Sequence, residues 1–433
     1  MKGLVFVCNH ERTDSWNLIA QRLKKLNYNN YLIAIVYDDL ARKIINVSCF
    51  DLIIDLNNII EGDTFLHYFS NINFKEISVK DRELKYKNDI FIKHKLVCFM
   101  NNIEKKLNNF KSLKFVGEVS WAAEELIYLY AKARKFSYLT LVPVRFIPRR
   151  WSVVNALSEE TFLKFNTNIV SNINSSVIAN KPTHPDYFYD GLNSLKFKNR
   201  FKRFVFSSGF KPRIPQLFIR KLMFVFFNLF LDLLKKRSIP PEKLCYLYAF
   251  QVQPEASIDY LAPEYINQSA LVDDIISNLL PDEFLVIKEH PGETILWNFR
   301  KKINFLFNNK IIFLKSKVSL IDNLSGISGA ITVTGTIGGE LAMHGIPTVS
   351  LKKMFFNKLK RSFYESSVPK ALETLRSNRI NNNLNSLTMD NDEFLKYIQQ
   401  NSYSGYSYHT KEFGFNDIQF INSASDLFCQ MEF

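Results

Sequence analysis

The chain has 433 residues, 47% hydrophobic and 23% charged, which excludes a largely disordered protein and leaves room for two ordinary domains, each with its own core. A formal net charge of +14 implies attraction to anions, but it does not choose between nucleic acid, membrane headgroups and phosphorylated substrates. Five scattered cysteines, Cys8, Cys49, Cys98, Cys245 and Cys429, never fall in a C-x-x-C spacing, which argues against a disulfide framework or zinc site and for a reducing compartment.

The opening "MKGLVFVCNHER" carries an apolar run too short for a signal peptide, so it reads as a first core strand in a cytoplasmic protein. "SWNLIAQRLKKL" follows as a helix, then "YLIAIVYDD" and "DLIIDL" as strands. "LKFVGEV" leads into the helical "SWAAEELIYLYAKARK" and the strand "YLTLVPV". This alternation predicts α/β layering around a mostly parallel sheet. "RFIPRR", Arg145 to Arg150, is expected as a basic loop, either solvated or attracting an anion, and "THPD" at His184 as a further loop.

From Leu195 to Lys243 the composition changes to Lys and Arg around a Phe-rich apolar stretch. Arg220, Lys221, Asn228 and Asp232 interrupt its apolar part, Leu217 to Leu234, so a basic amphipathic helix is expected rather than a membrane span. It would serve as a linker helix on the core or as a dock on an anionic membrane surface.

"KLCYLYAF", "EFLVIKEH", "KIIFLK", "GAITVT" and "PTVSL" then read as strands. Helices are expected from about Pro263 to Leu280, from Trp297 to Phe307, near Leu320 and after "TGT". "SNRINNNLNSLTMDNDE" is expected as a polar loop, and the segment from Phe394 to Phe433 as ordered chain returning to the N-terminal domain. The boundaries so drawn are an N-terminal acceptor domain over 1–194, a linker over 195–243, a donor domain over 244–392 and the closing segment 393–433.

Three polar motifs follow predicted strands of the second domain: "QVQPEAS", "KEHPGE" and "TGTIGGE". The carboxyl ends of neighbouring parallel strands line one edge, where open α/β folds bind ligands. In "TGTIGGE", Thr334 and Thr336 offer hydroxyls, Gly335 permits close backbone approach, and a helix opening near Ile337 directs free N–H groups outward. That suits a phosphate, although the stretch is neither a Walker loop nor a G-x-G-x-x-G fingerprint, and a plain Gly-rich helix start fits as well. Glu340 is either a favourable charge in the first helical turn or a ligand for a hydroxyl. In "KEHP", Pro291 restricts His290 to extended backbone, presenting its imidazole at a strand end, where it would donate to a phosphate or be satisfied by backbone. Gln253 and Glu255 sit at a turn set by Pro254, as ligands or as capping groups.

"YLYAFQVQPEASIDYLAPEY", the Leu-Pro at Leu280 and Pro281, "LVIKEHPGE" and "ITVTGTIGGELAMHGIPTV" resemble the C-terminal half of bacterial capsule polysaccharide synthesis proteins, including the capsule β-Kdo transferases. The match covers roughly residues 244 to 351. The resemblance implies a GT-B-like α/β glycosyltransferase, two Rossmann-type doubly wound domains facing a central cleft, using a CMP-activated acidic sugar. By the same resemblance Gln253 and Glu255 would contact the nucleotide, His290 the phosphate, and Thr334, Gly335 and Thr336 the phosphate and nearby sugar, with Lys288, Gly338 and Glu340 completing the donor site. A single phosphate needs no pyrophosphate-metal clamp, and the compact D-x-D at Asp390 to Asp392 lies in a polar stretch, so neither metal nor cofactor is expected.

The match is weak in the first domain. Retaining members of the family use a carboxylate there as nucleophile, which places Glu118 of "VGEVSWAAEE" as the candidate, with Glu124 and Glu125 on the following helix and helix capping as the rival role for Glu118. His10, Glu11 and Arg12 of "CNHER", with Arg145, are candidates for acceptor binding, or residues of ordinary polar loops. The expected reaction is transfer of Kdo from CMP-Kdo to a growing surface polysaccharide, capsule or lipopolysaccharide, with retention. The alternatives are another CMP-nonulosonic acid (sialic, pseudaminic or legionaminic), or a non-catalytic membrane- or nucleic-acid-binding protein. Nucleic acid is disfavoured because the basic residues accompany an apolar helix rather than a reader motif. The expected partners are the CMP-sugar, a glycan or lipid-linked glycan acceptor, and an anionic membrane surface reached through 217–237 at the cytoplasmic face of the inner membrane.

Overall fold

The computed structural model describes residues 1–58, 72–81, 84, 87–165, 233–236, 238–253, 256–290, 299–315, 318, 320–380, 388–408 and 416–432. They divide into two units, the first drawn from Met1–Thr183, Asp259–Leu261 and Asp392–Phe433, the second from His184–Ile258 and Ala262–Asn391. The basic segment lies outside the described residues as far as residue 232, and so does the His184 loop.

In the first unit, β1 (Lys2–Cys8), β2 (Tyr31–Val36), β3 (Leu52–Asp55), β4 (Ser112–Val116) and β5 (Ser137–Pro143) run parallel in the order β3-β2-β1-β4-β5. The sheet continues antiparallel through β6 (Arg150–Asn155) to a two-residue strand, Tyr403–Ser404. Side chains alternate across a strand. Val5, Val7, Ile33, Ile35, Leu113 and Phe115 therefore pack with the helices Asp89–Leu107 and Ala122–Ala133. Leu4, Phe6, Cys8, Leu32, Ala34 and Val36 pack with Thr13–Lys25 and Ile418–Gln430 on the other face. Both faces being covered, β1 reads as the unbroken apolar run typical of buried parallel strands.

The "RFIPRR" stretch is not a simple solvated loop. Arg150 opens β6 and is buried, donating to Ser402 Oγ at 3.0 Å, Ser404 Oγ at 3.2 Å and the Gln399 carbonyl at 2.8 Å. Arg149 pairs with the buried Asp417 carboxylate at 3.4 Å. Both basic groups are thus used to seat the C-terminal segment on the first sheet. Gly405 completes that seat with a left-handed φ of 114°, and a Cβ there would collide with the Phe420 backbone. Gly405→Ala is expected to cost about 2 kcal/mol of stability through strain and overpacking, read as a lowered urea midpoint with an unchanged m-value.

The second unit holds β7 (Leu244–Ala249), β8 (Glu283–Lys288), β9 (Ile311–Leu314), β10 (Gly329–Thr332), β11 (Thr348–Ser350) and β12 (Ser362–Tyr364). They pair in the order β12-β11-β10-β7-β8-β9, all parallel. Tyr246, Tyr248, Leu285, Ile287 and Ile331 pack on one face with residues of the helices Gln268–Ser277 and Val368–Ile380. Cys245, Leu247, Val286 and Ala330 pack on the other with Leu341 of the helix Ile337–Met343. Each unit is therefore a Rossmann-like, doubly wound α/β fold.

Several expected elements differ in extent. The helix expected from Pro263 is a 3-10 turn, Pro263–Tyr265, followed by a helix over Gln268–Ser277, because Asn267 caps the second piece through the Ala270 N–H at 3.1 Å. The helix expected from Trp297 is described from Phe299 to Phe307, and that near Leu320 is a 3-10 segment, Ile321–Gly326. The expected polar loop is helical at both ends: Val368–Ile380 runs into it, and Asn391–Gln400 starts within it by burying Phe394, Leu395 and Ile398. Asp392 consequently lies in a first helical turn, where its charge meets the positive end of the dipole. Among the described residues no group of three or more His, Cys, Asp or Glu could hold a metal ion, and no helix is long and apolar enough to cross a membrane.

Candidate active site

In the first sheet the chain leaves β1 towards β2 on one side and returns to β4 on the other, so the switch point lies between the carboxyl ends of β1 and β4. The loop after β1 carries Asn9 to Arg12, and the loop after β4 carries Gly117 to Trp121. Glu118, with a side chain 41% exposed, is ion-paired there to Arg12, whose side chain is 9% exposed. The same guanidinium reaches the carbonyls of Leu141 at 3.4 Å and Ser407 at 3.3 Å and stands 5.4 Å from the centre of the Trp16 ring. Arg12 thus ties Glu118 to the first sheet's strand ends.

Glu118 does not cap the next helix; Glu124 does. Glu124 is fully buried, and its Oε2 accepts from the backbone N–H groups of Ser120 at 2.6 Å and Trp121 at 3.1 Å and from Ser120 Oγ at 3.0 Å. Its Oε1 accepts from Asn9 Nδ2 at 2.7 Å and Tyr37 Oη at 2.8 Å, tying the ends of β1 and β2 to the β4 loop. Burial, reinforced by the nearby Glu118 charge, pushes the Glu124 carboxyl up to about 7 against the opposing pull of those hydrogen bonds. Glu125 is buried beside Lys80 Nζ at 2.7 Å, and burial raises its carboxyl too.

His10 has a left-handed backbone, φ 41°, and its N–H donates to Asp38 Oδ2 at 2.9 Å. Its ring Nδ1 lies 3.4 Å from Asp38 Oδ1, and its ring meets Trp121 edge-on with centroids 5.3 Å apart. Glu11 is exposed beside it, and Arg145 is half-buried in the turn between β5 and β6.

The second sheet has its switch point between β7 and β10. Gln251, just past β7, donates from Nε2 to Thr334 Oγ1 at 2.8 Å and accepts the Thr334 N–H at 3.1 Å. The Thr334 hydroxyl in turn donates to the Ser257 carbonyl at 2.9 Å, and the Gly335 N–H donates to Thr332 Oγ1 at 3.0 Å. Those groups shape the loop, leaving Thr336, half-buried at the start of Ile337–Met343, as its outer hydroxyl. Gly338 is a close-packing position: a Cβ there would stand 2.9 Å from Thr332 Cγ2. Glu340 is half-buried one helical turn further on.

Gln268 organises the same edge. It accepts from Tyr248 Oη and the Gln251 N–H, both at 2.9 Å, and donates to the Gln251 carbonyl and to Gln253 Oε1, again at 2.9 Å. Gln253 donates to the Ile266 carbonyl at 2.9 Å, while Glu255 lies outside the described residues, as does Pro291. At the end of β8, Lys288 is buried and its ammonium is pushed down to about 8, chiefly by that burial. Glu289 next to it is paired with Lys235 and with Lys302, the latter at 2.6 Å; burial opposes its ionisation, but the two ammoniums hold it below the usual carboxylate range. His290 follows, half-buried.

Gln251, Gln268, Asn9, Tyr37 and Asp38 were not candidates from sequence. The one local signal was a glutamine, Gln268, on the buried side of an otherwise apolar helix face.

No protein-family model matches the chain, and no curated protein matches it. Among solved structures it is similar to the Thermosulfurimonas dismutans KpsC β-Kdo 2,7-transferase, at 12% identity over 76% of this chain and 87% of that one, with a TM-score of 0.35. It is also similar to the KpsC β-Kdo 2,4-transferase of that organism, at 13% identity over 74% and 88%, TM-score 0.32. The UDP-GlcNAc 2-epimerase of Methanocaldococcus jannaschii, in complex with UDP-GlcNAc and UDP, aligns at 12% identity over 92% and 99%, TM-score 0.28. Similarity at this level assigns neither substrate nor residue roles.

Proposed function

We propose that the protein is a glycosyltransferase that moves Kdo, or a related 3-deoxy-ulosonic acid, from its CMP form to a growing surface glycan. The observation carrying this reading is the carboxylate pair at the first switch point: Glu118 partly exposed and fixed by a buried arginine, Glu124 buried and held near neutrality. A buried, raised carboxyl beside a partly exposed, ion-paired carboxylate is a recurring basis for acid, base and nucleophile assignments. Glu118 is assigned to the anomeric carbon, as nucleophile if configuration is retained or as base if it is inverted. In the second unit, the start of Ile337–Met343 with Thr336, and His290 past β8, are assigned to the donor phosphate, whose charge grows as CMP departs. One phosphate asks for one such cradle, and the reading includes no metal or cofactor.

The test is incubation of purified protein with CMP-Kdo and with CMP-sialic, CMP-pseudaminic and CMP-legionaminic acids, following CMP release and glycan product with candidate acceptors present. Turnover of CMP-Kdo above the others supports Kdo as the donor sugar; turnover of a nonulosonate instead reassigns the donor; no turnover of any CMP-sugar rejects the reading. Gln251→Ala, which removes the group holding both the N–H and the hydroxyl of Thr334, is expected to weaken CMP binding roughly tenfold in calorimetry, the equivalent of one or two hydrogen bonds.

A further inference from the structure

At the carboxyl end of β1, His10 combines a strained backbone with a carboxylate partner. A non-glycine residue in the left-handed region costs on the order of 1 kcal/mol or more and persists where the surroundings over-determine it, often at functional sites. Here the over-determination comes from Asp38, which takes the His10 N–H on Oδ2, and whose Oδ1 faces the ring Nδ1 while capping the helix Asp39–Ile44 through the N–H groups of Leu40 at 3.0 Å and Ala41 at 2.9 Å. A carboxylate anchored by a helix cannot follow a moving ring, so it sets the ring's direction. Trp121, from the loop that also carries Glu118, bounds the imidazole on a second side. The side chain remains 47% exposed, open enough for a hydroxyl to reach.

We infer that His10 accepts the proton of the attacking hydroxyl, oriented by Asp38, which rests on the glycosyl-transfer reading above. With the Nδ1 proton directed at Asp38, the ring's lone pair lies on Nε2. The hydroxyl oxygen forms its bond to the anomeric carbon as its proton passes to Nε2. In the retaining, two-step course, where Glu118 is the nucleophile and not the base, the bond from that carbon to the Glu118 carboxylate oxygen breaks, and the electron pair stays on that carboxylate. The imidazolium then returns its proton to solvent.

The test uses His10→Asn, since asparagine adopts the left-handed backbone readily and cannot take up a proton at neutral pH. With the donor and acceptor that support wild-type turnover, kcat for transfer is expected to fall about 100-fold or more, and the apparent donor KM to fall with it as the sugar accumulates on Glu118. Azide, a nucleophile that brings no proton, is expected to restore CMP release to the rate the wild type shows with azide; a merely structural defect would not be restored. Asp38→Asn, which keeps an acceptor for the helix N–H groups, is expected to lose about tenfold by the same assay and to recover likewise. Transfer by folded His10→Asn within about threefold of wild type, or a loss that azide does not restore, overturns the inference and leaves the glycosyl-transfer reading standing. Absence of any CMP release by the wild type rejects that reading and this inference with it.

Discussion

Glu118→Gln is expected to lower the transfer rate by roughly 1000-fold or more with little change in folding stability. The carboxylate is partly exposed and supports no helix cap, so an isosteric amide keeps the local packing. It cannot serve as nucleophile or base, but its carbonyl oxygen still accepts from Arg12, whose guanidinium also keeps the Leu141 and Ser407 carbonyls. The measurement is kcat for CMP release and for glycan product, with the thermal midpoint as the folding control. A variant that retains a tenth or more of wild-type kcat would remove Glu118 from the chemistry. If retention is the outcome, mass spectrometry of the quenched wild-type enzyme should find the sugar on the peptide containing Glu118.

Glu124→Ala is expected to cost about 4 kcal/mol of folding stability, more than Gly405→Ala, because it leaves buried donors from Asn9, Tyr37, Ser120 and Trp121 without their acceptor and opens a cavity. Glu124→Gln should be far milder. The amide oxygen can face the two backbone N–H groups, which only donate, while its NH2 faces Tyr37, whose hydroxyl can accept, and Asn9, whose amide can turn over. The acid also has a pH signature. Its folded-state carboxyl is raised to about 7, so between the ordinary carboxylate range and neutrality the folded state holds a proton that the unfolded state has released. The corresponding stability is fully present at low pH and is lost as pH rises through about 7, a change on the order of 3 kcal/mol. Glu124→Gln should remove that component from a plot of unfolding free energy against pH between about 4.5 and 8, and an unaltered plot would show that Glu124 is ionised throughout.

The strands were legible because a sheet covered on both faces demands unbroken apolar runs, and "GLVFVC" and "YLIAIV" have no other good use. The helix Asp89–Leu107 was not, since lysines interleave its apolar positions; Ile92, Leu96, Phe99, Ile103 and Leu107 show their common face only once the sheet is there to receive it. β6 was hidden by the arginines that open it, which look solvated until Ser402, Ser404 and the Gln399 carbonyl are brought beside them. The candidate site divides in the same way. Local motifs marked Glu118, His10 and the Thr-Gly-Thr loop, whose strand-end positions follow from short-range pattern. The difference between Glu118 and Glu124 was not local: it depends on Asn9, 115 residues away, and on Tyr37 from another strand end. Gln251 and Thr334, 83 positions apart, likewise become partners only through the pairing of β7 with β10.

The helix Ile418–Gln430 packs in the same core as β1, the first strand of the chain. Arg12 takes part of its backbone support from Ser407 of the same late segment. On the ribosome, then, the early strands must wait, one face covered only in part by Thr13–Lys25, while more than two hundred further residues are translated. The second unit is finished by residue 391, within a shorter stretch of chain. Synthesis order and completion order are therefore opposed, and the exposed sheet of the half-made first unit is where a nascent-chain chaperone would be needed.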